Sequence, residues 1–129
     1  MILNKEDFKI SFPIQEKISK FDRNVLNLLL EADDGSGWMY FSWNQELIDK
    51  LGSTTDPIKL FDNFIKSLEK WSQVEITAKQ TDLELFSRII ASFKIIKVKE
   101  NVTIIVNLSK EFIMTIPSVL FIAKDKKKV

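Results

Sequence analysis

Chemistry in this chain has to come from a short list of side chains. The 129 residues include no histidine and no cysteine. That removes imidazole bases, His-based triads, thiol nucleophiles, disulfides and thiolate metal sites. Carboxylates remain, but no two are spaced as a convincing general acid–base pair or Mg²⁺ site. Asp33-Asp34-Gly35-Ser36-Gly37 lacks EF-hand spacing, the third glycine of a dinucleotide fingerprint and the Gly-Lys-Ser/Thr of a P-loop. The chain is therefore expected to be a binding or assembly module and not an enzyme, with no metal and no cofactor.

The abundant functional group is lysine, which supplies 17 of the 19 basic residues; only Arg23 and Arg88 are arginine. Lysine meets phosphate as a point charge, whereas bidentate recognition of bases is the work of arginine. Bidentate recognition of bases or phosphates through arginine is thus limited to two positions at most. Lys59, Asn63, Lys66, Ser67 and Lys70 share one side of a predicted helix, and Lys and Asn suit phosphates and adenine edges. Asp62 and Glu69 lie on that helix too, and an ordinary solvated face fits equally well. Lys79, Arg88, Lys94, Lys97 and Lys99 fall on predicted strands and a hairpin, where they either follow a DNA backbone or block edge pairing. Lys126, Lys127 and Lys128 end a basic tail that reads as a frayed terminus or as a phosphate-contacting arm.

Charge is unevenly distributed. Residues 1–64 carry 7 basic and 11 acidic side chains, and residues 65–129 carry 12 and 7. The tail from Lys124 onward is worth +3 of the net +1, which leaves the body at −2. Charges appear at Lys5, Glu6 and Asp7, so the start does not read as a signal peptide. No apolar run reaches the roughly 18 residues of a membrane span. A cytoplasmic protein with no membrane partner is expected.

The elements that must position these residues follow from periodicity. Phe8, Ile10 and Phe12 alternate with polar residues as a short strand. Ser19 is placed to cap a helix through Phe21, Val25, Leu28 and Leu29 to about Ala32. Residues 33–37 form a turn, and residues 38–41 a short strand. Ser42 with Gln45 suggests a capping box for a second helix, which Gly52 ends. Asp56-Pro57 opens a third helix, with Ile58, Phe61, Phe64, Ile65 and Leu68 inward, out to Trp71. The period then becomes that of strands: residues 74–78, a polar loop at 79–84, a long strand at 85–96 whose parity shifts near Ile95-Ile96, a hairpin loop at 97–101, and residues 102–108. Ser109, Phe112, Ile113 and Ile116 suggest a short last helix before Pro117. The fold class expected is α+β: a winged helix-turn-helix with an additional β-hairpin and a short C-terminal helix, one domain over residues 1–121 and a basic tail at 122–129.

The uncharged segment Val102-Thr103-Ile104-Ile105-Val106-Asn107-Leu108 is strongly β-prone. At a sheet edge, Val102, Ile104 and Val106 would form a dimer interface; in a central strand they would be core. Trp38, Trp43 and Trp71 read as core or boundary aromatics in preference to base-stacking platforms.

Beyond this order, the chain resembles the first winged-helix domain of the plasmid replication initiator (Rep) proteins. The likeness rests on the extended Phe8–Phe12 segment feeding a leucine-rich helix, on Asn44-Gln45-Glu46-Leu47-Ile48-Asp49-Lys50-Leu51-Gly52, and on Ile65-Lys66-Ser67-Leu68-Glu69-Lys70-Trp71 followed by Val74-Glu75-Ile76. It continues through Leu85-Phe86-Ser87-Arg88-Ile89-Ile90, a hairpin, residues 102–108 and Ser109-Lys110-Glu111-Phe112. The resemblance implies control of plasmid replication initiation, double-stranded DNA with origin repeats as a partner, a homodimer, and contact with other replication proteins. In that family a second winged helix reads the bases, while the first holds the dimer and touches the DNA backbone. A chain of 129 residues accommodates only the first domain, so either it is a fragment or the second domain has been lost. Two other functions share the element order: a protein-interaction or dimerisation module without DNA contact, and a small transcription regulator. The body's charge of −2 favours the former, and the scarcity of arginine argues against the latter.

Overall fold

The computed structural model describes residues 8–11, 18–52, 56–80 and 83–109. In chain order the elements are β1 (Phe8–Ser11), α1 (Lys20–Ala32), β2 (Trp38–Ser42), α2 (Gln45–Leu51), α3 (Pro57–Gln73), β3 (Glu75–Gln80), β4 (Leu83–Arg88), β5 (Ile90–Val98) and β6 (Asn101–Leu108). The chain is α+β, with two antiparallel sheets of three strands each, ordered β1-β3-β4 and β2-β6-β5. The expected last helix and the basic tail lie outside the described residues.

Local signals account for most helix ends. Ser19 caps α1 in a reciprocal box: the Asp22 N–H donates to Ser19 Oγ at 3.0 Å, and the Ser19 N–H donates to Asp22 Oδ2 at 2.9 Å. α2 ends at Gly52, which adopts the left-handed conformation at φ 65°. α3 begins as expected, with the Ile58 N–H donating to Asp56 Oδ1 at 3.0 Å and Pro57 in the first turn. The start of α2 differs from expectation. Ser42 is still in β2, paired with Thr103, and the Trp43 N–H donates to the Val102 carbonyl at 3.0 Å. The ladder therefore holds the backbone extended past Ser42, and Asn44 caps the helix, its Oδ1 accepting from the Leu47 N–H at 3.0 Å.

The inward stripe of α3 is rotated from the expected one. Leu60, Phe64, Ser67, Leu68 and Trp71 are buried, Phe61 and Ile65 are half-buried, and Ile58 is 80 % exposed. The core joins this stripe to Val25, Leu26, Leu28 and Leu29 of α1, Leu47 and Leu51 of α2, and the inner face of the second sheet. Edge-on aromatic contacts tie the layers together: Trp43 with Phe61 at 5.0 Å and Phe41 with Phe64 at 6.4 Å between ring centroids.

The stretch expected as a loop at 79–84 is largely strand. β3 and β4 form a hairpin whose register runs from Glu75 opposite Arg88 to Gln80 opposite Leu83. The expected long strand is two strands in two sheets, and Ile89 joins them. Its N–H donates to the Val74 carbonyl at 3.4 Å, and its carbonyl accepts from the Ser109 N–H at 3.1 Å. Just beyond, the β5–β6 register slips between Ile90 and Ser92, so Ala91 is the bulge residue. That slip lets both Ile90 and Phe93, an odd spacing apart, face the core. The parity shift therefore falls at Ala91 and not near Ile95-Ile96. The turn of this hairpin is short, Lys99-Glu100, with Lys99 at φ 55°.

Candidate nucleic-acid interface

The lysine-rich side of α3 divides into two environments. Lys59, Asn63 and Lys66 are exposed and recur at helical spacing, so they lie along one side of the helix. Lys66 Nζ sits 3.0 Å from Asp62 Oδ2, both side chains well exposed, and Lys59 and Asn63 flank this pair. Ser67 and Lys70 belong elsewhere. Ser67 is 1 % exposed, and Lys70 turns inward to α1. Neither is placed to contact a ligand, which corrects the expectation for both.

Lys70 instead meets Asp22. Its Nζ donates to Asp22 Oδ2 at 2.7 Å, with Asp22 buried and Lys70 mostly so. The Trp71 indole N–H donates to the Asp22 carbonyl at 2.9 Å. Burial alone would raise the Asp22 carboxyl, but the Lys70 ammonium, the Ser19 N–H, and the Ser67 and Ser19 hydroxyls together hold it below its ordinary value. The Ser67 hydroxyl acts on Asp22 electrostatically; it makes no hydrogen bond of good geometry among the described residues. This cluster clamps the start of α1 to the end of α3. It fixes the axis of α3 and so the direction in which Lys59, Asn63 and Lys66 point. Sequence spacing could not reveal it, because Asp22 and Lys70 are 48 residues apart.

The strand candidates are dispersed. Lys94, Lys97 and Lys99 are exposed on β5 and its turn. Arg88 ends β4 and lines a shallow cleft of about 390 Å³ with Glu75, its cross-strand partner, and Phe86. Lys79 lies in β3 opposite Glu84. Arg23 lies on α1 and donates to the Ile18 carbonyl at 3.2 Å. Lys126, Lys127 and Lys128 lie outside the described residues.

The residues expected as a dimer interface are core. β6 is the central strand of its sheet, paired on both sides, so it offers no free edge. Ile104 and Val106 are fully buried, and Val102 is half-buried against the same cluster. The uncharged β-prone sequence of β6 reflects burial between two neighbouring strands and the helices. Of the tryptophans, Trp71 is buried and Trp43 half-buried as expected, but Trp38 is 45 % exposed.

Among the described residues no group of three or more metal-ligating side chains gathers, and no helix is long and apolar enough to cross a membrane. No family model, no curated protein and no solved structure matches the chain.

Proposed function

We propose that this chain is a winged-helix module that associates with double-stranded DNA through backbone contacts and self-associates, in the manner implied by its resemblance to the first domain of the plasmid replication initiators. The observation that carries the reading is topological. After α1, the short strand β2 pairs with β6, the second strand of the hairpin that follows α2 and α3. Helix, strand, helix, helix and a hairpin joined by that strand is the order of a winged helix, with α3 in the recognition position and β5–β6 as the wing. The β3–β4 hairpin inserted between α3 and the wing is the additional hairpin of this reading.

On this view Lys59 and Lys66 of α3 and Lys97 and Lys99 of the wing meet phosphates, and Asn63 lies between the two helix lysines. Contacts of this kind position a duplex without reading it. Neither of the two arginines is on α3, which agrees with a module that leaves base recognition to another domain. The second reading, a protein-interaction winged helix without DNA contact, draws on the Lys66–Asp62 ion pair and on Glu69, which together offset the helix lysines. Titration of duplex DNA over a salt series separates the two. The DNA reading requires binding at low salt that weakens steeply as salt rises. Absence of binding at low salt leaves the protein-interaction reading.

A further inference from the structure

The solvent face of the second sheet has no role in the reading above. Cross-strand register places three rows on it: Trp38–Asn107–Ser92, Tyr40–Ile105–Lys94 and Ser42–Thr103–Ile96, with Ile105 at their centre buried and the Trp38 and Tyr40 rings of β2 exposed. Tyr40 is 69 % exposed and Trp38 45 %, large apolar rings turned to water from alternate positions of one short strand. Alternation puts them about 7 Å apart along β2. Around them lie the hydroxyl and amide groups of Ser42, Ser92, Thr103 and Asn107. None of these rows contains a carboxylate, and their single charge is Lys94.

We infer that this face is a binding platform for single-stranded nucleic acid, with bases stacked on Trp38 and Tyr40 and a phosphate at Lys94. An exposed pair of aromatic rings on an antiparallel sheet, flanked by donors and acceptors and a cation, matches what an unpaired strand requires: planar surfaces for bases, polar groups for base edges and positive charge for the backbone. Charge fixes the orientation. Beyond the β2 edge, the cleft beside Tyr40 carries Glu31 and Glu46, the latter paired with Lys50 at 3.6 Å. Phosphates are therefore disfavoured on the β2 side and drawn toward β5.

The test uses the full chain and a labelled oligothymidylate of roughly 16 nucleotides, the upper range of site sizes for stacking platforms. Binding by anisotropy at low salt is expected, weakened about tenfold by Tyr40→Ala and again by Trp38→Ala, and retained by Tyr40→Phe. Lys94→Ala should lower the salt slope by about 0.7, one phosphate on a single strand. Lys66→Ala on α3 should leave this affinity unchanged, which separates the platform from the duplex reading. Tyr40 is exposed enough that its variants should stay folded, which circular dichroism would check. The inference is overturned if the oligonucleotide does not bind, or if Tyr40→Ala binds it as wild type does. It is equally overturned if light scattering shows a dimer that Tyr40→Ala dissociates with oligonucleotide affinity unmoved, which would assign the face to a second copy.

Discussion

Asp22 shows how one side chain sets the frame of the candidate interface. Its carboxylate completes the α1 cap and accepts from Lys70, and its carbonyl accepts from the Trp71 indole. Because its carboxyl is held below its ordinary value near 3.8, its contribution to stability is fully present above that value and is lost as pH falls through the lower, folded one. Urea unfolding over a pH series should therefore show an acid limb below about pH 4 that Asp22→Asn flattens. At pH 7 that substitution should cost about 2 kcal/mol, since it leaves a mostly buried ammonium without its counter-ion. Gly52 is a second case. Its φ of +65° suits glycine, and an added Cβ would meet nothing within 4 Å. Gly52→Ala should thus cost about 1 kcal/mol, from backbone strain alone, in the same urea assay. Gly52 was legible in the sequence as a helix stop. Lys70 was not legible as an internal residue, because nothing within its own helix marks it from Lys66. Ser67 was missed for the same reason: a small polar residue carries little periodic signal.

Elements defined by local chemistry were readable, and those defined by long-range pairing were read less well. Asp56-Pro57 gives the start of α3 because cap and fixed φ act within one turn. Ser42-x-x-Gln45 is an equally good local signal, yet pairing of Ser42 with Thr103, 61 residues away, overrides it. The β3–β4 hairpin was hidden because Lys79, Gln80 and Glu84 interrupt the apolar alternation, although the backbone ladder runs through them. The break at Ile89 left no compositional trace, since Ile89 and Ile90 are both fully buried, one at the sheet junction and one in the second sheet. The position of β6 yields a direct check. Ile104→Ala should destabilise the protein by roughly 3 kcal/mol through a core cavity. Light scattering should show the oligomeric state of the folded variant unchanged. A dimer lost without loss of stability would return this strand to an interface.

At the scale of the whole molecule, near-neutral charge conceals an uneven surface. Exposed lysines stand on one side of α3 and on the β5–β6 hairpin, whereas acidic side chains cluster in the turn at residues 33–37 and on α2, at Asp33, Asp34, Glu46 and Asp49. On the proposed reading, long-range attraction to DNA would therefore be weak, and contact would depend on a few lysines at short range. Replacing both Lys59 and Lys66 by alanine should reduce the salt slope of duplex binding by about 1.8, two phosphates on B-form DNA, without altering stability. The α+β succession of helices and strands was legible in the sequence because it depends on the order of elements, which survived errors of several residues at their boundaries. The solvent face of the second sheet was not legible, because Trp38 and Tyr40 alternate with Met39 and Phe41 and the unbroken apolar run conceals which pair faces water. The most direct measurement is an amide chemical-shift map on adding duplex DNA at low salt. DNA association through the winged helix requires shifts concentrated on Lys59, Asn63 and Lys66 of α3 and on Lys97 and Lys99 of the wing. A map that leaves α3 and the wing unmoved at low salt would contradict it.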